Sequence, residues 1–438
     1  MAQAQERGSR VLTGAHPVDV FDDPMTAAAT TASAPARRPP GFIGFLTVLL
    51  ALLSVCWVTV GVIVAPVLPG GGWTVVVAVV VVTVVPFGLF IGARMLGHYP
   101  GRLFRLTVFR FLWYAHFLLL VLLFAGIFGC LVGAVIAIGR GDAEFIGDFG
   151  RMAMFAATVV YGVGMFVGYR GVCRLVVTRF EAHLATLPAA LDGLTIVQIS
   201  DVHVGPHTPA RHLRAIVREA HAAQPDVIVI TGDLIDDFDE DVEYYAKGLG
   251  ELTAPLGVFV IPGNHDIYAN WTKVIARLTR LPVTVLVNAH ATVTHRGATF
   301  AIAGTGDPAA GPLGSAFGGP DVQATLADIP DDMFVLALAH NPALWPALAG
   351  AEVPLTLSGH THWGQLAIPS LNWCLASPFL KHAMGSHVQG TSLLYIHPGT
   401  NYWGIPFRLG APAEVAVITL RCGATTRMGT GTTTPAAR

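Results

Sequence analysis

The sequence predicts an α/β domain preceded by an all-α bundle of about four membrane-spanning helices. Three observations carry this. Residues 41–173 hold four long apolar stretches with few charges. From about Arg174 the pattern changes to short β-rich runs alternating with amphipathic ones. The polar residues of this second half gather just past the ends of apolar runs, where ligands bind in parallel α/β sheets. With 438 residues the chain is long enough for each half to bury its own apolar surface. Its 53% hydrophobic and 12% charged residues are far from the balance of an ordinary soluble domain. The formal net charge of -2 offers no polyanion-binding surface, so nucleic acid is not an expected partner.

Residues 1–40 are rich in Ala, Thr, Pro and Arg with few large apolar side chains, and are expected to be a disordered tail. The apolar stretches run over Phe42–Leu68, Trp73–Ala93, Phe111–Gly139 and Met152–Tyr169. Each approaches or exceeds the roughly 20 residues that cross a bilayer as a helix, the fourth being the shortest. Val75–Val85 alone would read as a buried strand in water; among these neighbours it reads as part of a spanning helix. A signal peptide is rejected, because the first apolar run is too long, a tail precedes it and further spans follow.

Arg7, Arg10, Arg37 and Arg38 precede the first span, Arg94, Arg102, Arg105 and Arg110 lie between the second and third, and Arg170, Arg174 and Arg179 follow the fourth. The positive-inside rule then places both termini and the second domain in the cytoplasm, on the inner (plasma) membrane. His116 is the one ionisable candidate inside the spans, which argues for an anchor, or a shaper of lipid access, rather than a channel. Cys56, Cys130, Cys173, Cys374 and Cys422 have no metal-knuckle spacing and read as small hydrophobes.

Within the second domain, residues 174–423, the runs Leu194–Ile199, Val227–Ile230, Val258–Ile261, Phe334–Leu338 and Leu355–Leu357 read as buried strands and Pro209–Ala223 as an amphipathic helix. Residues 424–438 are expected to be a disordered tail. The strands run into Ser200-Asp201-Val202-His203, Gly232-Asp233-Leu234-Ile235-Asp236, Gly263-Asn264-His265-Asp266, Ala339-His340-Asn341 and Gly359-His360-Thr361-His362. Aspartates, an asparagine and histidines so crowded would repel or desolvate one another unless cations lie among them. Imidazole, carboxylate and amide oxygen without thiolate suit Mn, Fe or Zn better than Ca or Mg. On an extended chain Asp201 and His203 share a face, as do His360 and His362.

These ordered motifs, within Thr178–Thr419, resemble the calcineurin-like metallophosphoesterase superfamily and, more closely, its bacterial membrane-associated branch. The resemblance implies a four-layer α/β/β/α sandwich with two divalent metal ions. Asp201, His203 and His362 would hold the first, Asp233 would bridge both, and Asn264, His340 and His360 would complete the second. It also implies that His265 stabilises transition-state oxygens or protonates the leaving group, with Asp266 orienting its ring. The implied reaction is hydrolysis of phosphodiester, phosphomonoester or pyrophosphate bonds without a covalent enzyme intermediate. A membrane lipid or lipid-linked intermediate is the expected substrate. The alternative is a catalytically silent membrane sensor that keeps the fold, against which stands the full set of ligand positions together with His265.

Other residues read less specifically. Asp236 is equally a metal-shell residue or a helix cap. His207, His212 and His221 read as surface residues, His397 as a candidate substrate contact, and Asp237, Asp239, Glu240 and Asp241 as a solvated helix start. Residues 366–390, with Trp373, Phe379 and Leu380 among few charges, read as a lid, a lipid-facing surface or core packing.

Overall fold

The computed structural model describes residues 42–96, 101–236, 238–310 and 319–437; the tail expected over 1–40 lies outside them. Four helices among the described residues are long and apolar enough to cross a membrane: Val48–Val67, Gly72–Leu89, Arg105–Arg140 and Glu144–Val172. These spans mark a multi-pass membrane protein. In lipid a backbone satisfies its polar groups within its own helix, which is why the valine run of the second span is helical, with one π turn at Val80–Val84. Spans three and four pack through glycines. A Cβ at Gly129 or Gly133 would fall 2.4 or 2.3 Å from the carbonyl oxygens of Phe149 and Phe145, so only glycine permits this approach. The fourth span, the shortest apolar stretch, reaches 29 residues because the polar turns from Glu144 continue the helix, with Arg151 bonded to Asp148 and to the carbonyl of Ile63.

Cys173 and Arg174 alone separate the fourth span from strand β1 (Leu175–Leu184). Then come β2 (Thr195–Ile199), β3 (Val227–Thr231), β4 (Val258–Ile261), β5 (Thr284–Val285), β6 (Ala289–His295), β7 (Ala298–Gly304), β8 (Val335–Leu338) and β9 (Leu355–Ser358). The chain ends with β10 (Ala367–Ile368), β11 (Trp373–Cys374), β12 (Gly385–Gln389), β13 (Ser392–Ile396), β14 (Ala413–Cys422), β15 (Arg427–Met428) and β16 (Thr432–Pro435). One sheet has the order β15-β1-β14-β2-β3-β4-β5, with β16 also on β1; the second has β12-β13-β9-β8-β7-β6. Strands β2 to β5 are mutually parallel, and so are β7, β8, β9 and β13.

The sheets face each other across a core that includes Ile196, Val229 and Phe259 from the first and Phe300, Leu336, Leu357 and Tyr395 from the second. Helices Ala210–Ala222 and Trp271–Leu278 cover the outer face of the first sheet through Leu213, Ile216, Val274 and Leu278. Helix Trp345–Gly350 covers the second through Leu348. The domain is thus a four-layer α/β/β/α sandwich. Burial of the inner strands on both faces explains why they read as unbroken apolar runs.

Residues 424–438 differ from expectation. Instead of a disordered tail, β15 and β16 pair antiparallel with β1. Without them β1 would present a row of unpaired backbone groups. The pairing needs only main-chain hydrogen bonds, so a Thr- and Gly-rich stretch serves, and no apolar pattern announces it.

Candidate metal centre

Past β2 and β3 the chain leaves extended geometry. Asp201 (φ 52°), His203 (φ 44°) and Asp233 (φ 49°) are left-handed, and so are His360 (φ 71°) and His362 (φ 49°) after β9. Each such residue costs on the order of 1–3 kcal/mol and persists only where its surroundings over-determine it. Same-face alternation along a strand therefore does not aim Asp201 and His203; this local coiling does. Backbone bonds lock it: Asp201 N–H donates to Gly232 O at 3.0 Å, His203 N–H to Asp233 O at 3.1 Å and Gly359 N–H to His340 O at 3.0 Å. Gly359 belongs to the same packing, since a Cβ there would fall 2.0 Å from Ser200 Oγ.

Two groups of donors result. Ligand-type atoms of Asp201, His203 and His362 lie within 4.8 Å of one another, as do those of Asp233, His340 and His360. In the first, His203 Nε2 faces His362 Nε2 at 3.0 Å, and His362 Nε2 is 3.4 Å from Asp201 Oδ1. In the second, Asn264 Oδ1 is 2.8 Å from His360 Nδ1 and 3.2 Å from His340 Nε2. Asp233 Oδ2 lies between them, 3.6 Å from His203 Nε2 and 3.3 Å from His340 Nε2.

Burial and the neighbouring charges compete in the electrostatics. Burial raises the Asp201 carboxyl, with His340 opposing and Asp233 reinforcing the shift. Burial alone would raise Asp233 too, but His340, His265 and His203 outweigh it and hold that carboxyl well below its ordinary value. Burial pushes His360 down to about 4 and holds His362 well below its ordinary value, with His203 and Arg408 adding to the latter. Two buried carboxylates face imidazole nitrogens and an amide oxygen in one donor set. Divalent cations fit it, because they carry positive charge and accept N and O donors together.

His265 stands beside the first group, its ring edge-on to His203 at 4.7 Å. Its Nδ1–H donates to the carbonyl of Asp236 at 2.7 Å. Asp266 does not orient that ring, contrary to the expectation. Its buried carboxylate accepts the backbone N–H groups of Leu234, Ile235 and Gly263 at 2.9–3.1 Å, tying the β3 and β4 turns together. Asp236 is not a helix cap either. It forms a third donor group with His203 and His265, and its Oδ1 lies 3.5 Å from His203 Nδ1.

The third span reaches the same place. Arg105 Nη2 donates to Asp236 at 3.4 Å, and Nη1 to both oxygens of Asp241 at 3.3 and 3.1 Å. Its guanidinium also stands 5.1 Å from the Phe238 ring centroid. Asp241 is therefore fully buried rather than part of a solvated run, and Asp239 pairs with Arg277 at 3.1 Å; Asp237 lies outside the described residues. Arg110 donates to the Tyr402 hydroxyl at 2.6 Å. The Trp113 ring is 5.8 Å from Trp403, which is itself 5.6 Å from His265. No motif marks these residues. From sequence Arg105 and Arg110 counted only as topology-determining charges.

The remaining histidines divide. His221 is exposed, as expected. His207 and His212 are half-buried: His207 Nδ1 lies 3.8 Å from Asp236, and His212 Nε2 bonds the Thr400 carbonyl at 2.9 Å. His397 is fully buried and accepts the Gly399 N–H at 2.9 Å, so it is no substrate contact. Behind His362, the buried Arg408 guanidinium donates to its Nδ1 at 3.1 Å and to the carbonyl of Pro398 at 2.8 Å.

Residues 194–364 match the calcineurin-like phosphoesterase family. The chain is 33% identical over 279 residues to a transmembrane protein with metallophosphoesterase domain of Bos taurus, a match that covers 62% of each chain. It therefore spans less than two thirds of that relative. A protein of the same description from Danio rerio is 31% identical over 317 residues, 69% of this chain and 71% of the relative. An uncharacterized metallophosphoesterase of Bacillus subtilis, YkuE, is 31% identical over 280 residues, 63% of this chain and 95% of the relative. Since transmembrane relatives include vertebrate proteins, the likeness is not confined to a bacterial branch.

Proposed function

The chain belongs to the calcineurin-like metallophosphoesterase family, and from that premise we propose that it is a membrane-anchored, dinuclear-metal hydrolase of phosphodiester, phosphomonoester or pyrophosphate bonds. In this reading residues 41–173 anchor a cytoplasmic catalytic domain beginning at 174, and the substrate is a lipid or lipid-linked phosphate ester. The observation that carries it is the position of Asp233 Oδ2 between the two donor groups. Asp201, His203 and His362 would hold one ion, Asn264, His340 and His360 the other, and Asp233 both. When bound, the two ions supply charge against the phosphoryl oxygens and acidify water.

The chain's own part is positioning and proton transfer. The left-handed turns fix the donors before substrate arrives, so their ordering cost falls on folding rather than on the reaction. Because a carbonyl can only accept, His265 Nδ1 carries a proton, and a second proton on Nε2 makes the ring an imidazolium. That form donates to a phosphoryl oxygen or protonates the leaving oxygen. Trp403 and Tyr268 flank the ring at 5.6 and 5.8 Å and restrict its solvation.

The test is turnover of a chromogenic phosphodiester by the purified, manganese-loaded protein, with metal content measured in parallel. We expect hydrolysis that is lost on chelation. Full loading of two metals without turnover of any phosphate ester would leave a binding protein.

A further inference from the structure

One side of the second domain exposes a group of large apolar side chains. Ile368, Leu371, Leu375, Phe379, Trp403 and Leu409 are between 41% and 82% exposed, Phe379 the most. The segment that carries most of them is not a loose lid. Its inner side has a small core of its own, made of Ala367, Cys374, Ala383, Met384 and Ala411. A surface so apolar, held rigidly by packed residues beneath it, is built to contact something apolar.

Its position says what. The segment is stitched to the loop that follows β13: Ala367 N–H donates to Leu409 O at 2.9 Å, Leu409 N–H to Gln365 O at 2.9 Å and Gln365 Nε2 to Trp403 O at 3.0 Å. That loop is fastened to the membrane helices. Arg408 N–H donates to the carbonyl of Gly168 in the fourth span at 3.0 Å. The Phe407 ring fills the space above Gly168, where a Cβ would fall 2.1 Å from it. Trp403 packs on Trp113 of the third span. Gly168 lies just before Arg170, and Trp113 just after Arg110, where apolar helix gives way to arginine. Tryptophan and arginine at such a junction mark the boundary between hydrocarbon and headgroups. The apolar surface thus adjoins the ends of the lipid-facing spans through this loop.

We propose that this surface, centred on Leu371 and Phe379, is seated in the headgroup–acyl boundary of the bilayer. Trp403 belongs to it and touches both Trp113 and His265, so the metal centre opens beside lipid and not toward bulk solvent. On the hydrolase reading above, on which this second part rests, the phosphate group reaches His265 by lateral movement of a lipid.

The test uses the full chain in vesicles of phosphatidylcholine and phosphatidylglycerol. In a background with the exposed Cys173 and Cys422 changed to Ser, an environment-sensitive fluorophore is placed at Leu371→Cys, at Phe379→Cys and, as control, at Arg296→Cys in the β6–β7 turn. Blue-shifted emission and quenching by shallow nitroxide-labelled phosphatidylcholine are expected at the first two sites and not at the third. Emission at Leu371 and Phe379 that resists the lipid quencher overturns the proposal, whether the probes stay in water or are covered by a second copy. In Leu371→Asp/Phe379→Asp, turnover of a vesicle-embedded phosphodiester should fall by about tenfold while a water-soluble one is unchanged, since less apolar area enters the bilayer. Equal loss on both substrates overturns lateral delivery. Quenching without turnover of any ester by the parent chain refutes the hydrolase reading and leaves the lipid contact standing.

Discussion

Asp233 and Asp236 share one turn after β3 and both face His203, and Asp233 also faces His340. Asp233 faces nitrogens of both donor groups. Asp233→Asn should abolish hydrolysis and lower metal content, and near-normal turnover with two metals bound would remove its shared role. His265→Ala should keep its metal and lose rate by about 10²–10⁴-fold, the usual contribution of a positioned acid. Loss of metal there would make His265 a ligand. Asp266→Ala should act on stability, because it strands three buried N–H groups at about 1–3 kcal/mol for each group left unsatisfied. An unchanged melting temperature with reduced kcat would restore a ring-orienting role. His397 contributes a pH dependence. Burial pushes it down to about 3, below the ordinary value of about 6.5. Its neutral form therefore adds stability that is complete above about pH 6.5 and is lost as pH falls toward about 3. His397→Gln should flatten the melting-temperature profile in that window, and an identical slope would show that other groups govern it.

At the scale of elements, the third span and the acidic turn after β3 are one unit. Arg105 is 4% exposed and its partner Asp241 is fully buried, so a lone change leaves a buried charge without its counterpart. Arg105→Gln should cost about 3–5 kcal/mol, the range for breaking a buried pair, whereas the double change with Asp241→Asn should recover part of it. Additive losses in urea unfolding would show that the two do not interact. The same contacts bear on the second domain as a separate piece. A fragment starting at Arg174 lacks Arg105, Arg110 and Trp113, together with the Gly168 carbonyl that receives Arg408 N–H. It should unfold at lower temperature than the whole chain, and equal melting temperatures would show these contacts to be incidental. The β-strands were legible because burial on both faces leaves unbroken apolar runs; the five read from sequence agree with the structure to within one residue at each end. β15 and β16 were not, since edge pairing draws on backbone alone.

For the whole molecule, the arginine distribution predicts that a cytoplasm-dependent reporter fused after Arg438 is active and that intact spheroplasts protect the domain from protease. Digestion from outside would reverse the orientation. Four apolar stretches and the residue types of the candidate metal centre were available in the sequence, because hydropathy, glycine placement and metal-donor chemistry are properties of short segments. Asp201, His203, Asp233, Asn264, His340, His360 and His362 could be named from such segments, and the fold brings them together. Tertiary structure alone decided how they are aimed, through left-handed turns where sequence spacing suggested an extended strand. It alone also joined Arg105 to Asp236 and Trp113 to Trp403, so that the membrane bundle supplies part of the site's wall. The physical reason is distance along the chain: Arg105 precedes Asp236 by 131 positions, and no local pattern records which charge a buried carboxylate will meet after folding.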